Sequence, residues 1–330
     1  MDTLRLLGRK IVRARELGPL VGLVVMLSIF QAINPLFFTP NEMTGLTTIA
    51  ASVGIVGVGV TFLMIAGEFD LSVGAMYALT PIVMGKLLTT FGWNEWLSFA
   101  AAMLLAVAIG FLNGLVTLRL GIPSFITTLG TLFIVNGMNL LLTSGQQVEY
   151  YGTSTLFPIL GGQLGSSPFY AALIWMVVIT AVFWFVLERT RYGNWTFAAG
   201  GRGGIARAVG VPVTRVKNIN FCITAALAGF AGCTEFGYLG SVSSGQGTQM
   251  ELYAIVVAVV GGTSLFGITG TIIGTFIGAL LLGTLETGLV LIGAPGSLYT
   301  SLIGLILIIA VIINVRLDRL YTLRMRRAPK

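Results

Sequence analysis

The sequence predicts an all-α polytopic membrane protein of about ten transmembrane helices with both termini cytoplasmic. Three observations carry this. Hydrophobic residues make up 55% of the 330-residue chain and charged residues only 9%, where a soluble domain carries roughly 25%. Mean hydropathy is +0.93, so lipid must be the solvent for much of the surface. Finally, eighteen of the nineteen Lys and Arg residues gather in four short stretches between long apolar runs.

Those stretches are Arg5, Arg9, Lys10, Arg13 and Arg15; Arg119 alone; Arg189 to Lys217; and Arg316 to Lys330. Positive charge beside membrane spans stays on the cytoplasmic side. The remaining Lys86 lies near the end of an apolar run, where its stem can snorkel to the interface. A helix needs about 20 apolar residues to cross. Single spans are expected at 18–35, 97–118, 125–143, 169–187, 218–238 and 298–315. The stretch 44–90 holds two around a polar break at 67–70, and 252–292 holds two around a Gly-rich break at 261–270. With ten spans every basic cluster lands inside, whereas nine would put the basic tail outside. External loops are then expected at 36–43, 91–96, 144–168, 239–251 and 293–297. The apolar run 18–35 reads as a retained first span, because no cleavage site follows it. The chain is expected to be one transmembrane domain over 1–330, with a basic N-terminus (1–17), a cytoplasmic loop (188–217) and a basic tail (316–330).

The composition excludes several chemistries. There is no His, which removes His-based catalysis, proton relays and metal ligation together, and neither a metal nor a cofactor nor a catalytic residue is expected. Cys222 and Cys233 lie eleven positions apart in one predicted helix, about 16 Å along its axis, too far for a disulfide. No G-x-x-x-x-G-K-S/T pattern occurs, so the chain has no P-loop. The net charge of +7 sums membrane-flanking clusters rather than one basic face, so no nucleic acid is expected.

Candidate functional residues fall in three groups. Glu68, Asp70 and Ser72 occupy the first break, and a carboxylate at membrane depth is by default a functional hypothesis. Asp70 equally reads as a cap for a helix starting at Leu71. Thr263 and Ser264 sit in the second break, which reads either as a tight inner turn or as a broken helix lining a pathway. Asn113, Asn136 and Asn139 lie on spans where amides bind neighbouring helices or solute, and Glu235 and Glu286 read as reaching interfacial water. The second group is the 199–213 stretch. Ala199, Arg202, Ala206, Arg207, Gly210, Val211 and Pro212 suggest a short Ala-rich helix closed by Gly210 with Pro212 preventing continuation, exposed inside and expected to dock on something. The third is Gly270, Gly274 and Gly278, spaced as a flat helix-packing face.

At these residues the chain resembles the permease subunits of bacterial ABC importers for simple sugars of the ribose, xylose and galactose type. Gly67-Glu68-Phe69-Asp70-Leu71-Ser72-Val73-Gly74 is similar to that family's G-G-x-D-L-S-V-G, with Glu68 in place of the second Gly. Gly200 to Val213 resembles its cytoplasmic coupling segment G-G-N-x-x-A-A-x-x-S-G-I-x-V, with Arg202 in place of Asn and Gly203-Gly204-Ile205 at the helix start. Glu251 to Ile255 followed by Val260 to Leu265 resembles E-L-x-A-I-A-A-V-V-x-G-G-T-S-L. The likeness runs from about residue 20 to 320. It implies a multi-pass protein of the bacterial inner (plasma) membrane that makes no covalent bonds itself. Implied partners are one or more cytoplasmic ABC ATPase subunits, a second permease copy or paralogue, and a periplasmic (extracytoplasmic) solute-binding protein that delivers a sugar-like solute, all around a path through the lipid bilayer. An ABC permease for branched-chain amino acids or nucleosides and an ion-coupled secondary transporter are the alternatives.

Overall fold

The computed structural model describes residues 16–201 and 203–327, with 313–315 and 317–327 as backbone only. Arg5, Arg9, Lys10, Arg13, Arg15, Arg202 and Lys330 lie outside the described residues. In chain order the helices are α1 (Leu17–Ile33), α2 (Pro40–Ile65), α3 (Val73–Thr89), α4 (Glu95–Leu120), α5 (Ser124–Thr143), α6 (Leu156–Gly161), α7 (Ala171–Arg189), α8 (Arg191–Gly200), α9 (Gly203–Ala208), α10 (Val213–Leu239), α11 (Met250–Val260), α12 (Ile272–Leu291) and α13 (Gly296–Arg327). Six of them, α2, α4, α5, α7, α10 and α12, are long and apolar enough to cross a membrane. Four shorter apolar helices accompany them: Leu17–Ile33, Val73–Thr89, Met250–Val260 and Gly296–Ile312.

α2 is the hub. Its sequence is apolar all round, as a fully surrounded helix requires, and 89% of its apolar window is buried against 17% for α5. Glycines let neighbours approach its backbone closely. At Gly59 the Thr224 Cα of α10 stands 2.9 Å from where a Cβ would lie, and the Thr224 hydroxyl donates to the Gly59 carbonyl at 2.9 Å. Asn220 Nδ2 donates to the Phe62 carbonyl at 3.2 Å. On the other side the hydroxyls of Thr61 and Thr275 of α12 meet at 2.6 Å. Such interhelical bonds in lipid average about 0.6 kcal/mol each, so they fix register while packing supplies the bulk of the stability.

α11 is the anomaly. Its 11 residues extend about 16 Å at 1.5 Å per residue, half of a hydrocarbon core of roughly 30 Å. The segment before it makes up the difference. β1 (Val148–Glu149) pairs antiparallel with β2 (Ser241–Val242) at one end of the bundle. From there the chain descends until Gly247 lies against the Gly74 carbonyl and Tyr77 in the first turns of α3. α11 therefore starts within the bundle. The two loops that pair here, 144–168 and 239–251, carry no strand signal in the sequence.

The glycine spacing at 270, 274 and 278 resolves into two contacts. A Cβ on Gly274 would run into the Gly261 carbonyl, and one on Gly278 into the Val257 carbonyl, so α12 packs backbone to backbone on α11. Gly270 precedes the helix, because Thr271 is extended (φ −145°, ψ 135°), and it packs on Ile65 and Thr263 instead.

Candidate functional site

The helices α2 and α11, which lead into the two breaks, and α9 of the 199–213 stretch all end in the same local device. Helix ends leave carbonyls without partners, and a left-handed Gly at C′ lets the next two N–H groups fold back on them. After α2, Gly67 (φ +80°) donates to Met64 and Glu68 donates to Leu63. After α9, Gly210 (φ +87°) donates to Arg207 and Val211 to Ala206, both at 3.0 Å. After α11, Gly262 (φ +93°) donates to Val259 and Thr263 to Ala258. The chain stops three helices sharply and turns each exit in a defined direction.

The first break leads into a polar relay. Asp70 is 1% exposed, and its Oδ1 accepts both the Ser72 N–H (2.8 Å) and the Ser72 hydroxyl (2.5 Å). Asn113 Nδ2 of α4 donates to Ser72 Oγ at 3.0 Å, and Thr131 of α5 donates to Asn113 Oδ1 at 2.6 Å. The backbone of the break is held by the start of α5. Phe69 N–H donates to Ser124 Oγ at 3.1 Å and Leu71 N–H to Thr128 Oγ1 at 3.0 Å. α3 begins at Val73 rather than at Leu71, so Asp70 sits two residues before the N-cap and fixes the turn leading into it. Asn139 Nδ2 reaches the Ala75 carbonyl at 3.1 Å. Asn136, beside this stripe on α5, is exposed and outside the relay.

Glu68 turns away from Asp70. Its Oε1 accepts from Lys217 Nζ at 2.7 Å, the two side chains being 14% and 16% exposed. The bond ties the first break to the first turns of α10. Exposed pairs contribute about 0.2–1 kcal/mol, while removing one partner of a buried pair costs roughly 3–5 kcal/mol, and this pair lies between. We expect Glu68→Gln to lower the Tm of the purified protein and Lys217→Met in the same background to recover part of the loss. Additive losses in thermal melts of the two single variants and the double would show that the pair is not coupled.

Three segments converge beside it. Ile268 N–H, from the second break, donates to the Ile65 carbonyl at the end of α2 at 2.9 Å. The last residue of α8, Gly200, rests on the same Ile65 carbonyl, so closely that a Cβ there would overlap it. Gly267 lies 3.1 Å from Gly67 Cα by its own Cβ position and 3.0 Å from the Gly200 carbonyl. Thr263 and Ser264 are buried just before this junction, where Ser264 N–H donates to the Thr269 carbonyl at 2.9 Å. The junction joins both breaks to the α8–α9 stretch through backbone alone.

Within that stretch the residues divide by face. Ala199 and Ala206 are buried, with Val213 and Val216, in a small apolar cluster that Val211 covers. Pro212 is partly buried and Arg207 and Gly210 are exposed. The outward face carries two apolar side chains that sequence reasoning missed, Ile205 at 57% and Val209 at 75% exposure. Their signal was the apolar pair at i and i+4 in the short Gly- and Ala-rich stretch 203–210. At the other end of the bundle Glu235 turns inward and accepts the buried Tyr77 hydroxyl.

Residues 43–311 match the family described as branched-chain amino acid transport system / permease component. Across 90% of its length the chain is 34% identical to the fructose import permease protein FrcC of Rhizobium meliloti, covering 84% of that protein. It is 33% identical to the ribose import permease protein RbsC of Bacillus subtilis, over 91% and 92% of the two chains. It is 32% identical to the autoinducer 2 import system permease protein LsrC of an Enterobacter species, over 98% and 92%.

Proposed function

From the premise that the chain belongs to the family of branched-chain amino acid transport system permease components, we propose that it is the membrane-spanning permease subunit of an ATP-driven importer for a sugar or sugar-like solute. Ribose, fructose and autoinducer 2 are the solutes of the relatives that match nine-tenths or more of this chain, which favours this class over amino acids. A separate ATPase subunit hydrolyses ATP. A second permease, identical or paralogous, completes the path, and an extracytoplasmic binding protein delivers the solute.

The observation that carries the mechanism is the junction of Ile65–Gly67, Gly200 and Gly267–Ile268. α9 offers Ile205 and Val209 to a partner, and α8 ends on the point where both helix breaks meet. Force applied to α9 by an ATPase cycle reaches the two breaks through close backbone contact, with no soft side chain between. The breaks flank α3 and α11, and Gly74 in the first turn of α3 meets Gly247, just before α11, and Glu251 in the first turn of α11, so a shift there opens or closes the path. Asp70, Ser72, Asn113 and Asn139 act in this reading by holding the shape of the break, and Asn136 is left facing the second permease.

Transport tests the reading. Vesicles holding the permease, its ATPase and the binding protein should take up labelled sugar when ATP is inside. Uptake driven by an imposed protonmotive force without ATP would replace the ABC assignment with ion coupling. Competition by leucine rather than by ribose or fructose would move the solute to the branched-chain amino acid class.

Ten crossings with both termini inside put 188–217 in the cytoplasm and 144–168 outside. Thr196 is fully buried, so a cysteine there would escape labelling from either side, whereas Val209 is well exposed. In a background without Cys222 and Cys233, a membrane-impermeant thiol reagent applied to whole cells should label Gln147→Cys and spare Val209→Cys. The reverse pattern would invert the topology.

A further inference from the structure

We propose that a groove bounded by α4, α9 and α10 binds one anionic phospholipid of the inner leaflet, with its headgroup held by Arg119, Arg207 and Arg215. The three arginines come from the last turn of α4, the last turn of α9 and the first turn of α10. All three line a single cavity of about 540 Å³ and all are exposed. Among the described residues none is paired with a carboxylate; the ion pair nearby belongs to Lys217 and Glu68. Three unneutralised guanidinium groups around one opening select a phosphate, which Arg binds through a planar fork of donors.

The wall of the same cavity is what distinguishes a lipid from a soluble anion. Phe111, Leu115 and Leu118 line it at i, i+4 and i+7, on one stripe of α4 running away from Arg119. Phe111 is 47% exposed and lies eight residues from Arg119, about 12 Å along the helix axis into the apolar part of the span. Gly114 keeps the stripe concave, since a Cβ there would strike the Asn218 carboxamide of α10. That carboxamide also lines the cavity, and its Oδ1 is buried without a partner. A soluble anion would use only the arginines, and a cytoplasmic protein would not reach Phe111. A phospholipid uses both, headgroup on the basic rim and one acyl chain along the stripe, as basic pockets between helices do on the cytoplasmic side. The inference rests on the topology proposed above, which places Arg119, Arg207 and Arg215 at the inner leaflet. Because Arg207 and Val211 to Val213 form part of the wall, a bound lipid would brace α9 against α4 and α10.

The test reads binding and not transport, so it is independent of which solute is carried. The full-length chain, purified in detergent and stripped of lipid, is melted with phosphatidylglycerol, with phosphatidylcholine, or with soluble glycerol 3-phosphate. Phosphatidylglycerol should raise Tm more than phosphatidylcholine, and glycerol 3-phosphate should leave it unchanged. The excess should vanish in Arg119→Gln/Arg215→Gln, return in Arg119→Lys/Arg215→Lys, and persist in Arg191→Gln, which lies outside the cavity. Native mass spectrometry of the same samples should show one retained phosphatidylglycerol lost only from the Gln variant. Equal responses to the two lipids, an excess that survives in the Gln variant, or a shift with glycerol 3-phosphate alone would each overturn the proposal.

Discussion

Val209→Glu is expected to abolish ATP-dependent uptake while leaving insertion and abundance unchanged. Val209 is 75% exposed, so nothing in the chain itself depends on its side chain, and a carboxylate there costs the fold almost nothing. At an interface the same change buries a charge without a partner, and losing an apolar anchor costs about 2 kcal/mol or more, roughly a 30-fold loss of affinity for the ATPase. Ile205→Glu should behave alike. Ala206→Glu is a different experiment, because Ala206 is buried beneath the helix and its replacement should melt α9 itself. Gly210 separates the two causes further. No atom lies within 4 Å of its Cβ position, and its φ is +87°, so any loss from a side chain there begins with backbone strain of about 1–2 kcal/mol. Gly210→Asn should keep most uptake, since Asn tolerates the left-handed region, and Gly210→Val should lose it. Co-purification of the ATPase and vesicle uptake, with Arg191→Ala as control, measure this directly. Wild-type transport by both Ile205→Glu and Val209→Glu would mean that energy does not enter through α9.

Gly274→Leu should cause the largest loss of stability among single substitutions. Overpacking costs about 1–3 kcal/mol where side chains can adjust, but here the obstacle is the Gly261 carbonyl, a backbone group at the end of α11. Either α12 moves off α11 or the 261–262 turn is displaced, and the second break is altered in both cases. Even Gly274→Ala should lower Tm by several degrees. Gly130→Ala and Gly137→Ala on α5, with no atom within 4 Å of either Cβ position, should leave Tm unchanged or raise it through helix propensity. Thermal melts of detergent-purified variants decide the matter; a Gly274→Leu protein that melts like wild type would mean that the α11–α12 contact contributes little.

Much of the local structure was legible because it is written in short-range terms. The apolar runs, the polar break at 67–70, the Gly-rich break at 261–270 and the helix stop at Gly210 follow from hydropathy, glycine content and the Gly requirement at a C′ position, and each is found where the pattern put it. The polar break residues were visible as carboxylates and hydroxyls in an apolar stretch. Their partners were not. That Asp70 joins Ser72, Asn113 and Thr131, while Glu68 next to it joins Lys217, depends on which helices pack together, and nothing in the spacing of 68 and 70 separates them. The inward turn of Glu235 toward Tyr77 was likewise hidden, since both residues sit in apolar helices that could face either way.

By itself the sequence determined that this chain is a helical membrane protein, where its helices stop, and which permease family it resembles. Those properties depend on transfer of each segment into lipid and on hydrogen bonds closed within a few residues. Only the tertiary structure decided that α2 is the hub, that α11 begins within the bundle, and that Gly67, Gly200 and Gly267 meet at one point. In lipid, helix faces are sorted by backbone approach and shape rather than by hydrophobicity, because the solvent is as apolar as the side chains. A contact between three glycines more than sixty residues apart leaves no periodic trace along the chain.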